Sequence, residues 1–193
     1  METQTTATVG VPKQEPKIWG ESYGFWSQTA VLTAAALFAW IAIVSSRRIE
    51  RKKAAIALIF DAKTDDELTK SLRLIVALHD GDSNMSVFAK RAKIDSEESK
   101  SIRYALNHFE SVGVGISHGT FDEKTFKSSQ YTTVTRLYDR TKSYIDTIRK
   151  EPGGSITNFQ EFECLACRWK QKPLKTKPIT SIQVRSIRNF FGF

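Results

Sequence analysis

Three groups of residues have the types and spacing that chemistry uses. The first is the stretch LNHFESVGVGISHGTFDE, residues 106–123, which places Gly113, Gly115 and Gly119 among His108 and His118. Glycine-rich loops hold phosphate when they follow a strand and open a helix, because backbone N–H groups then converge on the anion. This stretch lacks the lysine and hydroxyl of a P-loop. Its apolar residues, Ile102, Ala105, Leu106, Phe109, Val112, Gly113 and Ile116, recur three and four apart. That is a helix period, so the glycines fall at a helix end, where carbonyls point outward and repel phosphate.

The second group is Cys164 and Cys167. A structural zinc site needs four ligands, and no second CxxC exists to complete one. Two small buried thiols one helical turn apart are the expectation, with a redox role or metal capture left open. The third group is polar: Asn107 and Glu110 three apart on one helix, with Arg149 and Trp169 downstream. A general acid or base would need a second acid in its cleft and a perturbed pKa. A structural network joining Asn107, Glu110, Arg149 and Trp169 is the expectation, with a hydrolase-like use of Glu110 as the alternative. There is no GxSxG, HExxH or kinase-like set. No catalytic residue, cofactor or metal is assigned.

The elements that must position these residues follow from patterning. Phe25 to Val44 is twenty residues without a charge, and a helix of that length spans the roughly 30 Å hydrocarbon core of a bilayer. Trp19, Tyr23 and Trp26 lie at one end and Trp40 near the other, as in an aromatic belt. Arg47, Arg48, Arg51, Lys52 and Lys53 follow against Glu50 alone, a net +4, whereas the 24 residues before the span carry a net −1. The positive-inside rule then puts the N-terminus outside and the C-terminal bulk in the cytoplasm of a single-pass inner-membrane protein. The late, long apolar run lacks the basic lead-in of a signal peptide.

Residues 1–22 read as a disordered external tail, 23–45 as the transmembrane helix, 46–170 as a cytoplasmic helical domain and 171–193 as a basic tail. The span continues as a helix to about residue 62, with Ile56, Ile59, Phe60 and Lys63 at three-four spacing. Further helices are expected over about 66–79 capped by Asp65, 86–94 capped by Ser86, and from an Asp95–Glu98 capping box to Gly119. A Thr120–Glu123 box opens the next helix, which EPGG stops at 151–154. A last helix, capped by Thr157 or Asn158, packs Phe159, Phe162, Leu165, Ala166 and Trp169. The fold class is all-α: one transmembrane helix and a small helical bundle.

Charge limits the partners. Residues 54–167 carry a net −2, while 168–193 carry seven bases and no acid. A nucleic-acid-binding core would hold its basic stripe inside the domain, so no nucleic acid is expected. The expected partners are the lipid bilayer and an unidentified protein. Self-association through the small faces of Ala30, Thr33, Ala34, Ala35 and Ala42 is open, and so is anionic-lipid sensing by the tail.

ALNHFESVGVGISHGTFDEKTF, YDRTKSYIDTIRKEP and FQEFECLACRW together resemble an uncharacterised family of small membrane-anchored proteins of bacteria and phages. The resemblance rests on Leu106, Asn107, Phe109, Glu110, Gly115, Ile116, Gly119, Ile145, Arg149, Phe162, Glu163, Leu165, Ala166 and Trp169, within residues 45–170. Val112-Gly113 departs from the larger apolar pair of the pattern, and the basic tail lies outside it. The resemblance implies a membrane location and a role in phage-bearing cells, such as blocking a competing infection. It implies no activity and supplies no catalytic residue.

Overall fold

The computed structural model describes residues 17–18, 21–81 and 83–175. The expected external tail before residue 17 and most of the basic tail lie outside the described residues. Lys17–Ile18 (β1) and Glu21–Ser22 (β2) form a two-residue antiparallel pairing. The rest is helical: α1 Tyr23–Thr64, α2 Asp66–Asp80, α3 Ser86–Ala89, α4 Glu97–Ser117, α5 Glu123–Ile148 and α6 Gln160–Gln171. The all-α reading of the sequence holds. The chain divides at Arg47 and Arg48 into two units.

In the first unit α1 is long and apolar enough to cross a membrane. Its side chains from Tyr23 to Arg47 are exposed apart from half-buried Val44. Phe38 is 73% and Trp40 68% exposed. A core helix of a soluble domain would be covered by neighbouring elements, and this part of α1 has no such cover among the described residues.

In the second unit α4 is the central helix. It packs against α2 and α6, and α5 packs against α3 and α6. The buried residues are those that the helix period selects: Ile102, Ala105, Leu106, Phe109 and Val112 on α4, Phe126, Val134, Tyr144 and Ile145 on α5, and Phe162, Leu165 and Trp169 on α6. The β-branched run at 132–135 stays helical. Val134 is fully buried, and Thr135 Oγ1 donates to the Tyr131 carbonyl at 2.8 Å.

Several caps differ from the sequence reading. Asp65 caps α2 as expected, accepting from Leu68 N–H at 2.9 Å. Ser96, not Asp95, caps α4, through Ser99 N–H at 3.2 Å. Asp122, not Thr120, caps α5. Its Oδ1 takes both the N–H and the hydroxyl of Thr125, at 2.8 and 2.6 Å, and this leaves Glu123 available elsewhere. The helix expected over 86–94 stops at Ala89, and Asn84 rather than Ser86 supplies the side-chain acceptor at its start.

The second half of α1 continues as a helix to Thr64 and divides the residues read at three-four spacing. Ala55 and Ile59 are buried, with Leu58 and Ala62 beside them, whereas Ile56 and Phe60 are exposed. The Arg51 carbonyl accepts from Asp122 N–H at 3.2 Å. This bond ties α1 to the α4–α5 corner.

Candidate functional site

Gly119 has φ +71°. Its N–H bonds the Ile116 carbonyl at 3.0 Å, and Thr120 N–H bonds the Gly115 carbonyl at 2.8 Å. This pair of bonds is the Schellman ending that satisfies the last carbonyls of a helix. The glycine-rich stretch is thus a helix terminus and a corner, with no convergence of N–H groups for an anion. The other two glycines serve packing. A Cβ on Gly113 would lie 2.8 Å from the backbone carbon of Glu161, and one on Gly115 would overlap the Phe121 ring.

The close approach at Gly113 places Glu110, one turn earlier on α4, against the start of α6. Its Oε1 accepts from Glu161 N–H at 3.2 Å and its Oε2 from Phe162 N–H at 2.7 Å. The first N–H groups of a helix have no partner within it, and the helix dipole favours a negative charge there. α6 needs such help because its own N-cap residue, Phe159, sits at φ 58° with no side-chain cap. Neither Thr157 nor Asn158 caps it, contrary to the sequence reading.

The four residues expected to share one network are spread over separate clusters. Glu110 caps α6. Arg149 donates from Nη1 to Glu163 Oε2 at 2.7 Å, and from Nε and Nη2 to the Asn158 carbonyl at 3.0 and 2.9 Å. Trp169 is fully buried and donates from Nε1 to Glu123 Oε1 at 2.8 Å, and Arg168 Nε reaches the same oxygen at 3.1 Å. Asn107 is exposed and belongs to none of these. The separation follows from helix geometry, since Asn107 and Glu110 straddle the edge of the buried face of α4 and only Glu110 turns inward.

The sequence reading missed Tyr138. Its hydroxyl donates to Glu163 Oε1 at 2.7 Å, completing an Arg149–Glu163–Tyr138 chain. That hydroxyl, and then the Arg149 guanidinium, hold the Glu163 carboxyl below its ordinary range. Burial, followed by the Glu163 bond, drives the Tyr138 hydroxyl strongly upward. Cys167 lies half-buried beside this chain, while Cys164 is exposed, so the expectation of two buried thiols fails for Cys164. It occupies the outer side of α6. Among the described residues no group of three His, Cys, Asp or Glu is placed to hold a metal.

Two of the clefts among the described residues lie on the second unit. One, of 190 Å³, has a floor of Leu72, Ile75, Val76 and Leu137, with Arg136 and Arg140 on its rim. The other, of 370 Å³, lies by Arg91, Arg103, Glu151 and Asn158. His108 is a further buried polar group, its Nε2 without a partner. Burial pushes its pKa down.

The basic flank takes two positions. Arg47 closes the first unit. Arg48, Arg51, Lys52 and Lys53 are exposed in the second, where Lys53 pairs with Glu50 at 3.0 Å. Among and beyond them on α1 lie the exposed apolar side chains Ile49, Ile56 and Phe60.

A long, uncovered apolar helix joined to an all-α bundle defines a class of small proteins with one candidate membrane span. The chain belongs to the DUF4760 family, a domain of unknown function, which it matches over residues 29–169. The match begins inside the apolar half of α1 and ends at Trp169. No curated protein and no solved structure matches the chain.

Proposed function

We propose that the chain is a single-pass inner-membrane protein whose cytoplasmic helical domain binds another protein. The observation that carries this reading is the face of α1 that runs through and beyond the basic flank. Ile49 is 50%, Ile56 45% and Phe60 61% exposed, although Ala55 and Ile59 on the same helix are buried in the core. Apolar side chains grouped outside the core, beside a basic stop sequence, are what a docking surface requires. The charge asymmetry across the apolar span supports an external N-terminus. Glu110 favours the binding reading over a hydrolase, because both of its oxygens are engaged by the start of α6.

The test has two parts. Membranes from cells expressing the full chain are washed with salt and alkali and then extracted with detergent. Retention until detergent is expected, and release by alkali overturns the membrane assignment. The chain is then crosslinked in membranes and captured, alongside Ile56→Asp/Phe60→Asp. Loss of a crosslinked protein in the variant, at unchanged melting temperature, is the expected result. Capture that ignores these substitutions overturns the docking face.

The resemblance to membrane proteins of bacteria and phages supports a narrower form, exclusion of competing infection. Expression should then lower the plating of related phages. Unchanged plating removes that form and leaves the interaction module standing.

A further inference from the structure

We infer that the partner of the exposed α1 face is a second copy of this chain, aligned parallel and in register, an inference that rests on the membrane-tethered reading above. Ile49, Lys53, Ile56, Phe60 and Lys63 follow one another at intervals of four, three, four and three residues. That alternation is the seam of a two-stranded coiled coil, whose apolar positions repeat every 3.5 residues. At 100° per residue, Ile49, Ile56 and Phe60 fall within an arc of about 40°, centred about 110° from the arc of Ala55, Ile59 and Ala62. The core therefore occupies one side of this half of α1 and leaves the seam accessible.

Three features favour a second copy over a different protein. Copies inserted by the same topology rule carry the same residues at the same depth, so equivalent seam positions meet without any search for register. The seam's one charged layer between apolar residues is Lys53, and it brings its own counter-ion. Glu50 Oε1 is 3.0 Å from Lys53 Nζ, so symmetry mates would meet as two Glu50–Lys53 pairs whose acids and bases can exchange across the axis. Within the first unit, Ala35, Ala39, Ala42 and Ser46 follow one another at four, three and four residues, and small residues are what let spanning helices approach closely. A seam this short buries less than the roughly 1,600 Å² of a standard interface. Confinement of both copies to one membrane makes up the difference through effective concentration.

The experiment uses the full chain in membranes in a Cys164→Ser/Cys167→Ser background. Single substitutions Ile49→Cys, Ile56→Cys and Phe60→Cys are oxidised and compared with Asp61→Cys, an exposed position off the seam. Disulfide-linked species at twice the 21.8 kDa chain mass are expected at the three seam positions and at least fivefold weaker at Asp61. Addition of Ile56→Asp should abolish the Phe60→Cys product while the melting temperature is kept. Equal yield at Asp61, or no product at any seam position, overturns self-pairing. Crosslinking of the seam to a protein of another mass also overturns it, but that result upholds the interaction reading, so the two failures are told apart.

Discussion

Glu110 and Phe162 are 52 residues apart in the chain, yet the carboxylate of one accepts from the backbone N–H of the other at 2.7 Å. A helix start that would ordinarily be capped by the preceding residue is here capped by a different helix. Glu110→Ala should destabilise the domain by about 1–2 kcal/mol, the range of a lost N-cap. Glu110→Gln keeps one acceptor and should cost less. Thermal unfolding checks both, and an unchanged melting temperature for Glu110→Ala would refute the capping role.

Gly113→Ala should cost about 1–3 kcal/mol, the range for overpacking a close contact. Its new methyl would meet the backbone of Glu161, which cannot rotate away. Gly115→Ala meets the half-buried Phe121 ring instead. Its defect should be relieved in part by Phe121→Ala, whereas Phe121→Ala should leave the Gly113→Ala defect in place. Denaturant midpoints of the single and double variants decide this.

Arg149 holds Glu163 and the Asn158 carbonyl from a position where its side chain is only 15% exposed. Arg149→Ala should lower stability by about 1.5–3 kcal/mol, the scale for charge-assisted hydrogen bonds. Arg149→Lys should recover less than half of that, because an ammonium cannot reproduce the planar two-sided contact. Unfolding at fixed pH measures both losses.

Acid should weaken the domain in two stages. His108 has its pKa lowered by burial from 6.5. The unfolded chain therefore takes up that proton first, and stability falls as pH drops below 6.5 toward the folded value. Asp122 and Glu163 have lowered pKa values, the first through Thr125 and the second chiefly through Tyr138. Their contribution is complete above the unfolded values of 3.8 and 4.5 and is lost as pH falls through the folded values. Denaturant midpoints across pH should show both limbs. His108→Gln should remove the upper limb alone, and its persistence would show that another group carries it.

Legibility in the sequence followed the range of the interaction. The helix-forming periodicity of Ile102 to Ile116, the Gly119 ending and the Asp65 cap are local patterns, and all three stand in the structure as read. The Thr120–Glu123 box failed by two residues because the helix begins later, where Asp122 Oδ1 accepts from Thr125 N–H. The three-four spacing of Ile56, Ile59, Phe60 and Lys63 marked the helix but not which of them is buried, and only Ile59 is. Glu110 could be singled out as an inward polar residue, but its partner lies on another helix. The pairing of Arg149 with Glu163 likewise depends on how α5 and α6 pack.

The borrowed cap at α6 also changes what its first turn reports. Amide protons at a helix start usually exchange by fraying, at little free-energy cost. Those of Glu161 and Phe162 are held by a carboxylate on α4 and can reach water only when the two helices part. Their exchange rates should track the opening of the α4–α6 interface, which makes two backbone protons at an element end a clock for the cooperative unfolding of the core.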